Sequence, residues 1–106
     1  MEPDRNEPPT PVVSLDLGTL AASRIVNSRR CILVGWALIE ATGAASAEVD
    51  FRDGQDATGS MLAPVALSPG QSVRDTLPPG GVAADAGLFA QVVSGSVRGT
   101  VYMVLA

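Results

Sequence analysis

Three carboxylates, Asp50, Asp53 and Asp56, recur every third residue around Gly54. Loops of spaced carboxylates supply oxygen ligands to calcium. The order departs from an EF-hand, whose glycine and closing glutamate fall elsewhere, and Asp53-Gly54 is itself a strong turn dipeptide. The reading preferred is a turn without a metal. Glu40 and Glu48 are a second pair, of the kind that performs acid/base cleavage of glycosides when a cleft brings two carboxyl groups together. A domain this small rarely forms a deep cleft. The chain has no His and no Lys, so its serines and threonines lack an imidazole partner, and Schiff-base and P-loop lysine chemistry are absent. Gly95-Ser96-Val97-Arg98-Gly99 is not a nucleophile elbow, whose serine stands two residues after the first glycine. Cys31, the single cysteine, lies in an apolar run, where a thiol packs as a small hydrophobe. These observations predict a protein that is not an enzyme, with no catalytic residue, metal or cofactor.

Charge narrows the partners. The net charge is -4 over 106 residues, with a pI near 4.5. Only Arg29 and Arg30 are adjacent among seven scattered arginines. Nucleic-acid binding needs a concentrated basic footprint, and membrane-surface binding needs a polybasic patch. Neither is expected. Met1-Glu2-Pro3-Asp4 is the opposite of a signal peptide's basic start. The longest uncharged apolar run, Cys31 to Ile39, is under half of a bilayer span.

The elements that would position these residues are strands. Residues 1–11 hold four of the eight prolines and three acids, and read as an extended arm ahead of a domain over 12–106. Beyond it, turn signals and short apolar runs alternate, and no long window has a helical period. Val12 to Leu17 is a half-buried strand closed by Gly18-Thr19, and Ser23 to Asn27 is a short one. Arg30 to Ala41 is apolar on both faces, so it is central, with Gly35 marking a bulge or a close backbone approach. Glu48 to Arg52 directs Val49 and Phe51 inward and pairs with the preceding strand through Thr42–Ser46. Pro64 confines Met61 to Leu67 to an edge position or a bulged strand. Ser68-Pro69-Gly70 is a turn before Gln71 to Leu77. Leu88 to Val93 and Val97 to Leu105 read as a hairpin about Ser94-Gly95-Ser96, with Val97, Val101, Met103 and Leu105 on one face. Trp36 reads as a core indole with a partner for its N–H, and Tyr102 as a subunit contact. Seven or eight strands predict an all-β fold, a single antiparallel β-sandwich of jelly-roll or immunoglobulin-like type.

Two stretches add a resemblance. Ser68-Pro69-Gly70-Gln71-Ser72-Val73, and the run from Gly87-Leu88-Phe89-Ala90-Gln91 through Val92-Val93-Ser94-Gly95-Ser96 to Val97-Arg98-Gly99-Thr100-Val101, resemble small β-sandwich virion proteins of tailed bacteriophages with GC-rich hosts. The shared elements are the Pro-Gly turn, the Gly-aromatic start of the penultimate strand and the Val-Ser-Gly hairpin, within residues 30–106. The resemblance implies a capsid decoration (cement) protein located in the virion and assembled in the host cytoplasm, with a head-spike or tail and baseplate component as the alternative. It implies no catalytic residues. The expected partners are the major capsid protein or another virion protein, and further copies of the chain on the particle. Candidate partner-binding residues are Pro3, Pro8, Pro9 and Pro11 of the arm, because proline lowers the entropy lost on ordering, together with Tyr102. A glycan-binding tail or spike domain would use the loops Gln55 to Ser60 and Gly80 to Ala86.

Overall fold

The computed structural model describes residues 11–105. Nine strands and no helix occur among the described residues: β1 (Val13–Leu20), β2 (Arg24–Asn27), β3 (Cys31–Glu40), β4 (Ala47–Asp53), β5 (Ser60–Leu67), β6 (Ser72–Thr76), β7 (Val82–Ala84), β8 (Leu88–Ser94) and β9 (Val97–Leu105). The first sheet has the order β1-β9-β3-β6, with β7 also on β3, and the second β2-β8-β4-β5. Both are antiparallel, and they pack as the β-sandwich that the sequence predicts.

The connectivity has a simple origin. β4 pairs with β5, β3 with β6, β2 with β8 and β1 with β9. That is one long antiparallel ribbon, folded at residues 54–59 and wrapped so that both of its sides change sheet together. Pairing of β3 with β9 and of β4 with β8 closes the two sheets. This is the jelly-roll order. At each place where the ribbon turns a corner, a side chain ties its two sides. Glu40 joins the 42–43 turn to Gly70, Arg30 pairs with Asp85 at 3.0 Å, and the Ser23 hydroxyl accepts the Val92 N–H at 2.9 Å.

Two expected hairpins are therefore corners instead. β3 and β4 lie in different sheets, so Thr42–Ser46 does not join neighbours, and Ser94-Gly95-Ser96 likewise carries the chain from one sheet to the other. A turn sequence specifies reversal without specifying which sheet the next strand joins. Facing rather than adjacent placement lets Val49, Phe51, Val97 and Val101 meet across the sandwich, each at most 1% exposed. Two boundaries also differ. β1 continues through Gly18 to buried Leu20, because a bulge between Asp16 and Gly18, capped by the Asp16 carboxylate on the Gly18 N–H, absorbs the irregularity. β7, inside a stretch expected to be loop, adds a ninth strand because its register against Cys31–Leu33 buries Ala84.

Other expectations hold. β3 is central, between β9 and the β6/β7 side, and Pro64 lies on edge strand β5. At Gly35 the ladder with β9 shifts register, and a Cβ would stand 2.3 Å from the Asp75 carbonyl oxygen. Cys31 is fully buried, and that burial raises its thiol pKa. Trp36 belongs to the core, but its indole N–H has no hydrogen-bond partner among the described residues. Leu105 departs from its inward row: it is half-exposed at the strand end, whereas Val97, Val101 and Met103 are buried.

Candidate functional site: an arginine-flanked groove on the outer face

The outer face of the first sheet carries a groove of about 640 Å³ that crosses β1, β9, β3 and β6. Its position follows from register. Arg98 on β9 stands opposite Ile39, and Arg74 on β6 stands opposite Ala37, so the two arginines flank the central strand two residues apart along it. Both arginines are exposed, whereas Ala37 and Ile39 between them are half-buried and form an apolar floor. Asp16 and Thr19 close the β1 side. Gly99 lets β9 approach β3 closely here: a Cβ would lie 2.0 Å from the Ala37 carbonyl oxygen, and its φ of 149° suits glycine alone. Among the described residues neither arginine pairs with a carboxylate. Two guanidinium groups beside a narrow apolar strip suit an extended ligand that carries carboxylates and apolar bulk.

The carboxylates singled out by spacing are occupied structurally. Glu40 is 2% exposed. Its Oε2 accepts from the Thr42 N–H at 2.9 Å and the Thr42 hydroxyl at 2.8 Å, and its Oε1 from the Gly43 N–H and, at 3.0 Å, the Gly70 N–H. These bonds, that of the Thr42 N–H foremost, outweigh burial and lower its pKa from 4.5 to about 2. Glu48 lies apart from that cluster, beside Ser68 and Ser94 in a shallow depression of about 420 Å³. Asp53 accepts the Ala86 N–H at 2.8 Å, and Asp56 accepts from the Thr58 N–H and hydroxyl, which lowers the Asp56 pKa. Asp50 instead meets Arg52, Oδ2 to Nη2 at 3.8 Å. The three aspartates do not converge, and no cluster able to hold a metal occurs among the described residues.

Of the expected partner-binding residues, Pro3, Pro8 and Pro9 lie outside the described residues. Pro11 is exposed ahead of β1. Tyr102 is half-buried on the same face as the groove, opposite Ser14 and Gly35, but outside its lining. Arg74 and Arg98 were not singled out by sequence. Each is an outward residue of an alternating strand, an ordinary signal until β6 and β9 are known to flank β3.

No protein-family model, no curated protein and no solved structure matches the chain.

Proposed function

We propose that the protein is a non-enzymatic structural component of a virion, of the capsid-decoration type, binding the outer surface of a phage head through its arm and sandwich. The observation that carries the assembly part of this reading is the groove between Arg74 and Arg98, a recognition surface away from any cluster of nucleophile and base. The placement in a phage virion rests on the resemblance of residues 68–73 and 87–101. Jelly rolls also serve in viral shells and lectins, which agrees with the reading without specifying it. Co-sedimentation with purified phage heads tests it. The chain is expected to saturate at a fixed number of copies per particle, more weakly as a 12–106 truncation; absence of saturable binding would remove the reading.

A second reading, a glycan-binding tail or spike component, has an observation of its own. The turn at 54–59 meets the ends of the 85–87 and 28–30 connections at one end of the sandwich, where the Gly54 N–H donates to the Gly87 carbonyl and the Gln55 amide to the Ser28 carbonyl. Glycan-array binding abolished by Gln55→Ala, with particle binding unchanged, would favour this reading over the first.

A further inference from the structure

We propose that the groove between Arg74 and Arg98 binds the acidic, proline-rich segment Glu2 to Pro9 of a second copy of this chain. The inference rests on reading the protein as an assembly module, and is independent of where it assembles.

Charge and spacing both fit. The segment carries Glu2, Asp4 and Glu7 against a single Arg5, and the groove presents two arginines over Ala37 and Ile39 against one lining carboxylate, Asp16, at its β1 side. Arg98 and Arg74 are separated by two strand spacings and two residues along the sheet, about 12 Å between Cα positions. In polyproline II geometry, with three residues per turn, Asp4 and Glu7 share one edge about 9 Å apart, a gap that two long arginine side chains close. Pro3 and Pro9 fall on another edge, available to the apolar floor. Because the groove crosses the strands, its occupant needs side-chain contacts and no ladder of backbone donors, and proline lacks that donor.

The second copy, not the chain's own segment, is the occupant for a stereochemical reason. β1 runs from Val13 toward the groove at Asp16 and Thr19, so Val13 is the end of the strand farther from it, and a segment of the same copy would have to turn back before Val13 to reach it. Pro8-Pro9-Thr10-Pro11 offers neither Gly nor Asn for such a reversal, and a residue before proline disfavours the helical region that a type I turn needs.

Sedimentation equilibrium of the full chain and two variants tests this. The wild type is expected to associate, less so when ionic strength rises from about 0.01 to about 1 M, where the Debye length falls from about 30 to about 3 Å. Asp4→Arg/Glu7→Arg and Arg74→Glu/Arg98→Glu should each associate at least about tenfold more weakly, the combined worth of two exposed ion pairs. An equimolar mixture of the two variants should regain association, because one copy supplies an intact segment and the other an intact groove. The first variant leaves every described residue unchanged, so it remains decisive if the second fails to fold. A monomeric wild type, unchanged association in either variant that folds, or a mixture of the folded variants that stays monomeric would each overturn the proposal. Co-sedimentation of the wild type with phage heads tests the virion reading separately.

Discussion

The rings of Trp36 and Phe51, one from each sheet, meet in the core with centroids 5.4 Å apart and planes inclined by 36°. Phe51 is fully buried and Trp36 is 5% exposed, so this contact fastens the two layers midway along their central strands. Phe51→Ala is expected to cost about 3–5 kcal/mol, a large part of the about 5–15 kcal/mol that holds a domain folded. Trp36→Phe keeps an aromatic contact and deletes an N–H that has no partner, so it should cost about 1.5 kcal/mol or less. Urea unfolding followed by circular dichroism checks both. Equal losses would refute the pairing as the reason.

Glu40 makes stability depend on acid. Its folded pKa, about 2, lies below the ordinary 4.5, so the ionised form favours the folded state. That contribution is complete above pH 4.5 and is lost as pH falls toward 2. Glu40→Gln keeps the size but not the charge, and should lower the melting temperature at neutral pH while flattening the loss over that window. Melting curves from pH 7 to about 2 measure it. A variant with the wild-type acid slope would place the titration elsewhere.

How much of this was legible in the sequence depends on whether a feature is local. The two-faced apolarity of Cys31 to Ile39 required a central strand, and Pro64 an edge or a bulge, both of which β5 has, because each follows from local surroundings. Connectivity did not follow. Thr42–Ser46 and Ser94–Ser96 have the composition of hairpin turns, yet the chain uses them to change sheets. The groove was hidden for the same reason: Arg74 and Arg98 face each other only because β6 and β9 both pair with β3. Glu40 and Glu48 were noticed as chemistry, and Glu40 proved to be a brace that joins the two sides of the ribbon at one corner.

Arg52 bridges three elements. Its Nε donates to Gln91 Oε1 at 2.8 Å, its Nη1 to the Gly59 carbonyl at 2.9 Å, and its Nη2 lies 3.8 Å from Asp50. Asp50 is 7% exposed, and its Oδ1 has no hydrogen-bond partner among the described residues. Arg52→Met should cost about 1–3 kcal/mol, through the bonds lost and the buried carboxylate left without a cation. Arg52→Lys should recover little, since an ammonium cannot reproduce the fork. Adding Asp50→Asn to Arg52→Met should restore part of the loss, a coupling that denaturant unfolding of the double-mutant cycle reads directly. Additive effects would mean that the two groups act separately.

The wrapped ribbon predicts an order of folding. β4 and β5 are joined by the short turn at 54–59, whereas β1 and β9 pair the two ends of the described chain. Closing the distant pairs first would cost far more loop entropy than extending the ribbon from its fold, and topologies dominated by distant pairing fold in about milliseconds to seconds. Asp56 holds the turn by accepting from Thr58. Asp56→Ala is therefore expected to slow folding with a φ-value above about 0.5, while Ser23→Ala, at the corner farthest along the ribbon from that turn, should act almost wholly on unfolding. Stopped-flow chevrons resolve the two, provided each variant costs more than about 0.6 kcal/mol. If Asp56→Ala left the folding limb unchanged, the ribbon could not be growing from that turn, and pairing would have to begin between β3 and β9 or between β4 and β8.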